Sequence, residues 1–146
     1  MATIRRFEDL LCWQKSRLLD NKVFQLTRKQ PLVNDFSLID QWRRASGSVM
    51  DNIAEGFERD GNKEFINFLS ISKGSLGEVR SQAYRALDRC NISQAEFDDV
   101  HGLCLEISSL LQRFMAYLKA SDYKGTKYKV GEPPADYFIS DLESNL

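Results

Sequence analysis

Apolar side chains recur at three- and four-residue steps along four stretches of the chain, the spacing of one face of an α-helix. Short polar or proline-containing links separate these stretches. Helices joined by short links pack against their neighbours in antiparallel fashion. The pattern therefore predicts an all-α, antiparallel, up-down-up-down four-helix bundle over residues 1–120, followed by a short irregular tail over residues 121–146.

Local signals predict where two of the helices begin and end. The first helix spans about residues 5–29, because Gln30 precedes Pro31 and a residue before proline avoids the helical conformation. The third helix follows the polar turn Asp60-Gly61-Asn62 and runs to about residue 90. The second and third helices are therefore the two arms of a helical hairpin.

Two capping-box patterns predict the starts of the other helices. In a capping box, the first side chain accepts a hydrogen bond from the backbone three residues on, and the side chain there returns one. Ser37 with Asp40 predicts the start of the second helix, and Ser93 with Glu96 predicts the start of the fourth.

The first predicted helix is apolar on more than one side. Phe7, Leu11 and Leu18 form one stripe at helical spacing, and a second apolar stripe lies beside it. A helix that is apolar on most sides is buried by more than its own bundle, which favours a contact between subunits over an accident of a small core. The predicted oligomer contact consists of the apolar residues left over after the core stripes: Cys12, Leu19, Leu26, Met50, Phe57, Ile66 and Tyr84.

Small residues crowd both arms of the hairpin. If the chain reverses at Gly61, Ser48 lies level with Ser75. A glycine inside a helix costs roughly 1 kcal/mol against alanine, so several glycines there indicate a close approach of the two backbones. The predicted waist of the hairpin consists of Gly47, Gly74, Ser75 and Gly77.

A polar stripe runs along the second helix beside its apolar seam. The hairpin register places Arg44 opposite Glu78 and predicts an ion pair, worth more than the ~0–1 kcal/mol of an exposed pair if it is half buried. These polar residues either tie the two helices together, which is the preferred interpretation, or form a ligand site. The predicted polar layer consists of Arg44, Ser48, Asn52, Glu55 and Glu78.

Several of these residues belong to motifs that resemble a known family. The motifs are Arg43-Arg44, Ser48, the run Asn52-Ile53-Ala54-Glu55-Gly56, Glu64-Phe65, Gly74-Ser75 with Glu78, and an opening segment from Phe7 to Lys15. Over about residues 7–120 they resemble a bacterial family of four-helix bundle proteins whose reading frames lie in intervening sequences of 23S ribosomal RNA genes. The resemblance implies the bundle and a ring-shaped homo-oligomer, a pentamer. It implies no established biochemical activity.

Composition places the chain among ordinary soluble proteins. Its 146 residues suffice for one domain with one core, and 42% hydrophobic and 28% charged residues are typical values. The three cysteines, at positions 12, 90 and 104, are too scattered for a disulfide framework. No apolar run approaches the length of a membrane span, and the N-terminus lacks a signal-peptide core. We therefore expect a cytoplasmic protein.

The candidate chemistry is sparse. A di-iron site in a four-helix bundle needs two Glu-x-x-His pairs, and this chain has one histidine, His101, with Asp98 three residues before it. Cys104 lies one turn after His101 without an evident group to orient a catalytic base. We therefore predict no enzyme activity, no metal site and no cofactor.

Basic residues on the hairpin leave a nucleic-acid-binding role open. The family is also similar, more distantly, to the accessory protein of diversity-generating retroelements, a basic helical pentamer that works with a reverse transcriptase and RNA. This chain instead carries a net charge of −1. The preferred function is a non-catalytic oligomeric scaffold or binding protein with an unidentified protein or RNA partner, and the alternative is a nucleic-acid-binding accessory protein. The candidate phosphate contacts are Arg59, Lys63, Arg85 and Arg89.

The pattern of the first 120 residues does not continue into the last 26. Gly125, Gly131 and Pro133-Pro134 interrupt this segment, which has no helical period before its last residues. A mobile tail is the preferred interpretation. The alternative is a segment anchored on a neighbouring surface by its aromatic side chains, which are Tyr123, Tyr128, Tyr137 and Phe138.

Overall fold

The computed structural model describes residues 4–123. Four α-helices make up most of this range: Leu11–Thr27 (α1), Phe36–Glu58 (α2), Asn62–Asp88 (α3) and Gln94–Tyr123 (α4). Short 3-10 helices, Phe7–Asp9 and Leu32–Asn34, precede α1 and α2. Each helix packs against the next, and α1 closes the bundle against α4. The predicted up-down-up-down four-helix bundle is confirmed.

The ends of the helices differ from the predicted ones by a few residues. The first helix begins only at Leu11, since a 3-10 turn occupies the preceding residues. At the other end of the chain, α4 continues through Tyr123, so the helix includes the first three residues of the predicted tail. The rest of the predicted tail, residues 124–146, lies outside the described residues.

The hairpin turn between α2 and α3 lies where the sequence predicts it. The second helix ends at Glu58 and the third begins at Asn62, with Gly61 between them at a φ of 93°. This backbone conformation is unfavourable for residues that carry a Cβ atom. Glycine is therefore the residue that permits so tight a reversal.

One of the two predicted capping boxes is confirmed and the other is wrong. The backbone N–H of Ser93 donates to Glu96 Oε1 over 2.9 Å, and the backbone N–H of Glu96 donates to Ser93 Oγ over 3.1 Å. By contrast, α2 begins at Phe36, before Ser37, and its N-cap residue Asp35 makes no side-chain cap hydrogen bond. The Asp35 carboxylate instead accepts hydrogen bonds from Arg89 and Asn91, beyond the end of α3.

The core contains side chains from all four helices. Trp42, Phe65 and Phe114 are the largest of the fully buried side chains. Phe65 and Phe114 pack edge to face, with ring centroids 5.5 Å apart, a favoured aromatic geometry. The buried indole N–H of Trp42 donates to the carbonyl oxygen of Val79 over 3.1 Å. This bond crosses from α2 to α3 and satisfies the one polar group that Trp42 brings into the core.

The prediction that Cys12, Leu19 and Leu26 of α1 form part of an oligomer contact is wrong. Cys12, Leu19 and Leu26 are buried within the single chain, whereas Leu18 is 47% exposed. Lys15 and Lys22, each three residues after one of these buried side chains, form ion pairs with Glu106 and Asp99 of α4. This side of α1 therefore lies next to α4. The three buried residues therefore belong to the core and not to an oligomer contact.

Candidate functional site

Three hydrogen bonds between α2 and α3 define how the hairpin is aligned. The hydroxyl groups of Ser48 and Ser75 lie 2.9 Å apart, and Ser72 Oγ donates to the carbonyl oxygen of Val49 over 2.6 Å. The bond from Trp42 to Val79 continues the same alignment. The predicted register of the hairpin is therefore confirmed, and serines make its closest polar contacts.

The polar layer predicted for this hairpin is smaller than expected. Asn52 Nδ2 donates to the carbonyl oxygen of Ser48 over 2.8 Å and to Ser48 Oγ over 2.9 Å. With the Ser48–Ser75 contact, these bonds form a connected, half-buried layer between the helices. Buried polar groups need such partners, so this part of the layer has a structural role.

The predicted ion pair between Arg44 and Glu78 is wrong. Arg44 Nε lies 3.1 Å from Asp40 Oδ2, one turn earlier on the same helix, and the Arg44 side chain is 80% exposed. Glu55 likewise forms an ion pair with Arg59 within α2, at 2.9 Å. A partner one turn away is close without any bend in the helix, and an exposed arginine gains little by reaching across to another helix.

The glycines predicted to form the waist do not lie at a close approach. Among residues 4–123, a Cβ atom added to Gly74 or Gly77 would meet no atom within 4 Å, and one added to Gly47 would meet only Asp20 Oδ1, at 3.9 Å. The close approach lies at Gly56, where an added Cβ atom would be 2.5 Å from the Cβ atom of Phe68. The predicted waist is therefore wrong, except that Ser75 contacts Ser48 across the hairpin.

A polar cleft lies beside the serine layer. Its volume is about 340 Å³, and Arg44 and Glu78 stand on its two walls. Gln82, which is 6% exposed, also lines the cleft, and its Oε1 atom is buried without a hydrogen-bond partner in the described part of the chain. The register therefore brings the two charged residues to one cleft without joining them. The full lining is Gln41, Arg44, Ala45, Ser48, Ser75, Glu78 and Gln82.

A larger groove runs between α3 and α4 near the hairpin turn. Its volume is about 980 Å³. Half-buried Ile66 and Met115, together with Ala116, provide apolar surface within it. The lining residues recur at three- and four-residue steps on both helices, so each helix contributes one continuous stripe. This surface, called the basic groove, is lined by Asp60, Lys63, Glu64, Ile66, Asn67, Ser70, Lys73, Gln112, Met115, Ala116 and Lys119.

The charges of the basic groove are unevenly neutralised. Lys73 donates a hydrogen bond to Gln112 across the groove, and the Glu64 carboxylate lies 3.6 Å from Arg59 Nη1. Lys63 and Lys119 are exposed and form no ion pair with any of the described residues. The groove thus offers two lysine ammonium groups to an external carboxylate, beside an apolar surface.

Three of the four predicted phosphate contacts have partners within the chain. Arg59 forms ion pairs with Glu55 and Glu64. Arg85 Nη1 donates to Gln41 Oε1 over 2.9 Å, and Arg89 forms an ion pair with Asp35 at 2.9 Å. The fourth residue, Lys63, lies in the basic groove.

The remaining residues of the predicted oligomer contact lie on different sides of the bundle. Met50 is half-buried and follows Ser46, which donates to Asp20 of α1, by one turn. Tyr84 is 47% exposed, on the side where α3 meets α4, and Ile66 belongs to the basic groove. Phe57, also half-buried, packs edge to face on Phe65 with ring centroids 6.0 Å apart. These residues do not form one patch.

The environment of His101 and Cys104 does not resemble that of a catalytic pair. The His101 ring stacks on Phe97 with ring centroids 5.1 Å apart. Burial raises the pKa of the Cys104 thiol to about 12, so the thiol is protonated at neutral pH and is a poor nucleophile. No cluster of three or more His, Cys, Asp or Glu side chains within residues 4–123 is arranged to hold a metal ion.

Sequence reasoning missed two features that depend on how the helices are paired. The contact of Gly56 with Phe68 has no sequence signal beyond the glycine itself. The basic groove combines a stripe of α3 with a stripe of α4. The spacing of Lys63, Ile66 and Lys73 suggests a shared face, but the contribution of α4 requires knowledge of the packing.

Comparisons with known proteins agree with this architecture. The model of the family described as 23S rRNA-intervening sequence protein matches residues 8–113. The crystal structure of a protein with unknown function from the S23 ribosomal protein family of Bacteroides thetaiotaomicron is similar to this chain, with a TM-score of 0.66 and 21% sequence identity. The similarity covers 72% of this chain and 98% of that one. No curated protein matches this chain. Within residues 4–123, no helix is apolar over a length that would cross a membrane.

Proposed function

The chain belongs to the 23S rRNA-intervening sequence protein family, and from that premise we propose that it is a non-catalytic, oligomeric scaffold that binds a segment of another protein. The basic groove between α3 and α4 is the observation that carries this proposal. It combines apolar side chains with Lys63 and Lys119, which form no ion pair with any residue that the structure describes.

The composition of the groove defines the kind of segment it suits. An amphipathic segment would place its apolar side chains against Ile66, Met115 and Ala116, as in other complexes of a helix in a groove. Its carboxylates would approach Lys63 and Lys119, which gives the complex electrostatic complementarity. The proposed ligand is therefore an acidic amphipathic protein segment.

Nucleic acid suits these surfaces less well. Arg59, Arg85 and Arg89 would have to give up ion pairs or hydrogen bonds within the chain before they could contact phosphates. The described residues that line the groove include no aromatic side chain on which a base could stack. The net charge of −1 adds no long-range attraction for a polyanion.

We also propose that the chain forms a closed homo-oligomer, for which the family resemblance implies five subunits. In a ring, each contact joins two different surfaces of neighbouring subunits. Met50, on the side of α2 that faces α1, and Tyr84, on the side where α3 meets α4, provide two such surfaces on different sides of the bundle. A ring of this kind would present several copies of the groove and raise the avidity for a repeated partner.

A comparison of protein capture by matched variants tests the binding function. The groove variant carries Lys63→Glu with Lys119→Glu, and the control carries Arg5→Glu with Arg28→Glu, which makes the same change in net charge on exposed residues elsewhere. Tagged native protein and both variants are incubated with lysate, with and without nuclease. The captured proteins and RNA are then identified.

The expected result is a protein that wild type and the control capture equally, with and without nuclease, and that the groove variant captures about tenfold less or not at all. Equal capture by all three chains contradicts the proposal. Capture that nuclease abolishes supports the nucleic-acid alternative instead. Circular dichroism of each variant establishes that the helices are intact.

A further inference from the structure

The sequence beyond the described residues contains a segment whose chemistry matches the basic groove. Residues 132–146 carry four carboxylates and no lysine or arginine. The apolar side chains Phe138, Leu142 and Leu146 are spaced at four-residue steps, and Ile139 lies beside them. If the segment were helical, this spacing would place the apolar side chains on one face and most of the carboxylates on the other. The segment has the composition that we propose for a ligand of the groove.

The charge of the segment complements that of the groove. The carboxylates of this segment are Glu132, Asp136, Asp141 and Glu143. The groove offers the exposed ammonium groups of Lys63 and Lys119, which have no ionic partner in the described structure. Three lysines at positions 124, 127 and 129 precede the acidic segment. The tail is therefore divided into a basic half near the bundle and an acidic half further along the chain.

The distances allow the segment to reach the groove of its own chain. The last described residue, Tyr123, lies one helical turn after Lys119, at the end of the groove near the hairpin turn. Twelve residues, 124–135, connect Tyr123 to residue 136 and can span about 40 Å when extended. From Lys119 to Gln112 the groove extends about 10 Å along α4, and a helix over residues 136–146 would be about 16 Å long.

From these observations we propose that residues 132–146 dock in the basic groove of the same chain. The inference rests on the proposed function, because it identifies an occupant of the same peptide-binding surface. The connection of twelve residues gives the tethered segment an effective concentration in the millimolar range, so a dissociation constant in the micromolar range suffices to keep the groove occupied. A partner segment must then displace the tail, which makes the tail a competitive regulator of the groove.

Zero-length cross-linking of the full chain tests this contact. A carbodiimide joins a lysine to a carboxylate only where the two are in contact. After cross-linking, trypsin releases residues 130–146 as one peptide, because no lysine or arginine follows Lys129. The expected products join this peptide to Lys63 or Lys119. An equal mixture of ¹⁴N- and ¹⁵N-labelled chains shows whether both halves of each product come from one chain.

A matched pair of variants separates docking from chance encounters of a tethered tail. Phe138→Ser with Leu142→Ser keeps every carboxylate but removes two apolar anchors. Tyr128→Ser with Val130→Ser makes similar changes outside the segment. The first variant removes two apolar anchors from the docked segment and should lower the yield of cross-links to Lys63 and Lys119 severalfold or more, and the second variant should leave this yield unchanged.

Three results would overturn the inference. They are cross-links that spread evenly over surface lysines such as Lys22 and Lys29, cross-links that persist in the Phe138→Ser, Leu142→Ser variant, and products that join light and heavy chains. The last result would place the tail in the groove of a neighbouring copy. Failure of the inference and failure of the proposed function are distinguishable. Groove-dependent capture of a partner without tail cross-links contradicts only the inference, whereas tail cross-links without such capture contradict only the proposed function.

Discussion

At the scale of single residues, Gly56 and Phe68 determine how closely α2 and α3 can pack. The added Cβ atom of any larger residue at position 56 would lie 2.5 Å from Phe68 Cβ and 2.9 Å from Phe65 Cδ2. The Cβ atom of Phe68 is fixed to the backbone and cannot rotate away. Relief of the clash would therefore require the two helices to move apart, which would disturb the neighbouring core contacts.

We predict that Gly56→Ala destabilises the bundle and that Gly74→Ala does not. Because the clash at 2.5 Å involves a Cβ atom that cannot rotate away, the overpacking cost should lie in the upper part of the range of about 1–3 kcal/mol. It then exceeds the ~1 kcal/mol that alanine gains over glycine in helix propensity. At Gly74 the gain in helix propensity is not offset by a clash, because an added Cβ atom would meet no atom of the described residues within 4 Å. Urea unfolding measures the free energy of unfolding of wild type and of both variants. If the m-value is the same for all three, the shift of each midpoint reports the change in stability. Equal midpoints for the two variants would contradict the close approach at Gly56.

The three cysteines differ in accessibility, which gives a second prediction. Burial raises the pKa of the Cys12 and Cys104 thiols to about 12 each, whereas Cys90 is exposed. Since the thiolate is the reactive form, a thiol reagent at pH 8 should modify one cysteine in the folded protein and all three in denaturant. Cys90→Ser should leave no rapidly reacting thiol. Rapid modification of that variant in its folded state would show that the core around α1 or α4 is open.

At the scale of helices, the two serines that follow the same sequence pattern occupy different positions. Ser93 caps α4 and exchanges hydrogen bonds with Glu96. Ser37 lies within the first turn of α2, after Phe36, because Asp35 takes the N-cap position. The pattern of a serine followed by an acidic residue three positions on is therefore a capping box only where the helix begins at that serine.

The difference between these serines predicts different effects of the same substitution. Ser93→Ala should destabilise the protein by about 1 kcal/mol, since it removes a capping hydrogen bond. Ser37→Ala should change the free energy of unfolding by less than about 0.5 kcal/mol, as is usual for an exposed surface position. Chemical denaturation of the two variants tests this contrast. A comparable decrease in the free energy of unfolding of both variants would indicate that Ser37 also caps a helix.

The capping box also predicts a dependence of stability on pH. The hydrogen bond from the Ser93 backbone N–H lowers the pKa of the Glu96 carboxyl group below its ordinary value. The folded protein therefore gains stability from Glu96 above the unfolded pKa of about 4.3 and loses it as the pH falls through the lower folded pKa. Glu96→Gln should be less stable than wild type at pH 7, and the difference should shrink toward pH 3. A difference that is constant over this range would contradict the role of the carboxylate.

At the scale of the whole molecule, the proposed ring requires two unlike surfaces on each subunit. A substitution in either surface removes every contact from a ring built of that variant alone. When two variants with defects in different surfaces are mixed, one intact pair of surfaces remains between unlike chains. The proposed surfaces contain Met50 and Tyr84, which lie on α2 and α3.

We therefore predict that wild type is a multiple of the single-chain mass and that Met50→Glu and Tyr84→Glu are each monomeric. An equal mixture of these two variants should form a dimer and no larger species. Size-exclusion chromatography with light scattering measures these masses, and Leu105→Glu, at another exposed apolar residue, is the control that should leave wild-type assembly intact. A wild-type mass equal to that of one chain would contradict the ring.

The sequence by itself determined the features that depend on a single helix or a single turn. The period of apolar residues identified four helices, and their short links determined the order in which they pack. The capping box at Ser93 and the turn at Gly61 follow from hydrogen bonds and backbone geometry within a few residues. The alignment of Ser48 with Ser75 also followed, because a tight turn determines which residues of a hairpin are level.

Only the tertiary structure decided which side of each helix is covered and which groups become partners. Leu18 and Leu19 are both apolar, but the rotation of α1 against its neighbours buries one and exposes the other. The same packing leaves Gly74 in open space, brings Gly56 against Phe68, and lets Arg44 pair with Asp40 and not with Glu78. The rotation of a helix about its axis is the result of contacts with all the other helices at once. The periodicity of one helix therefore cannot specify it.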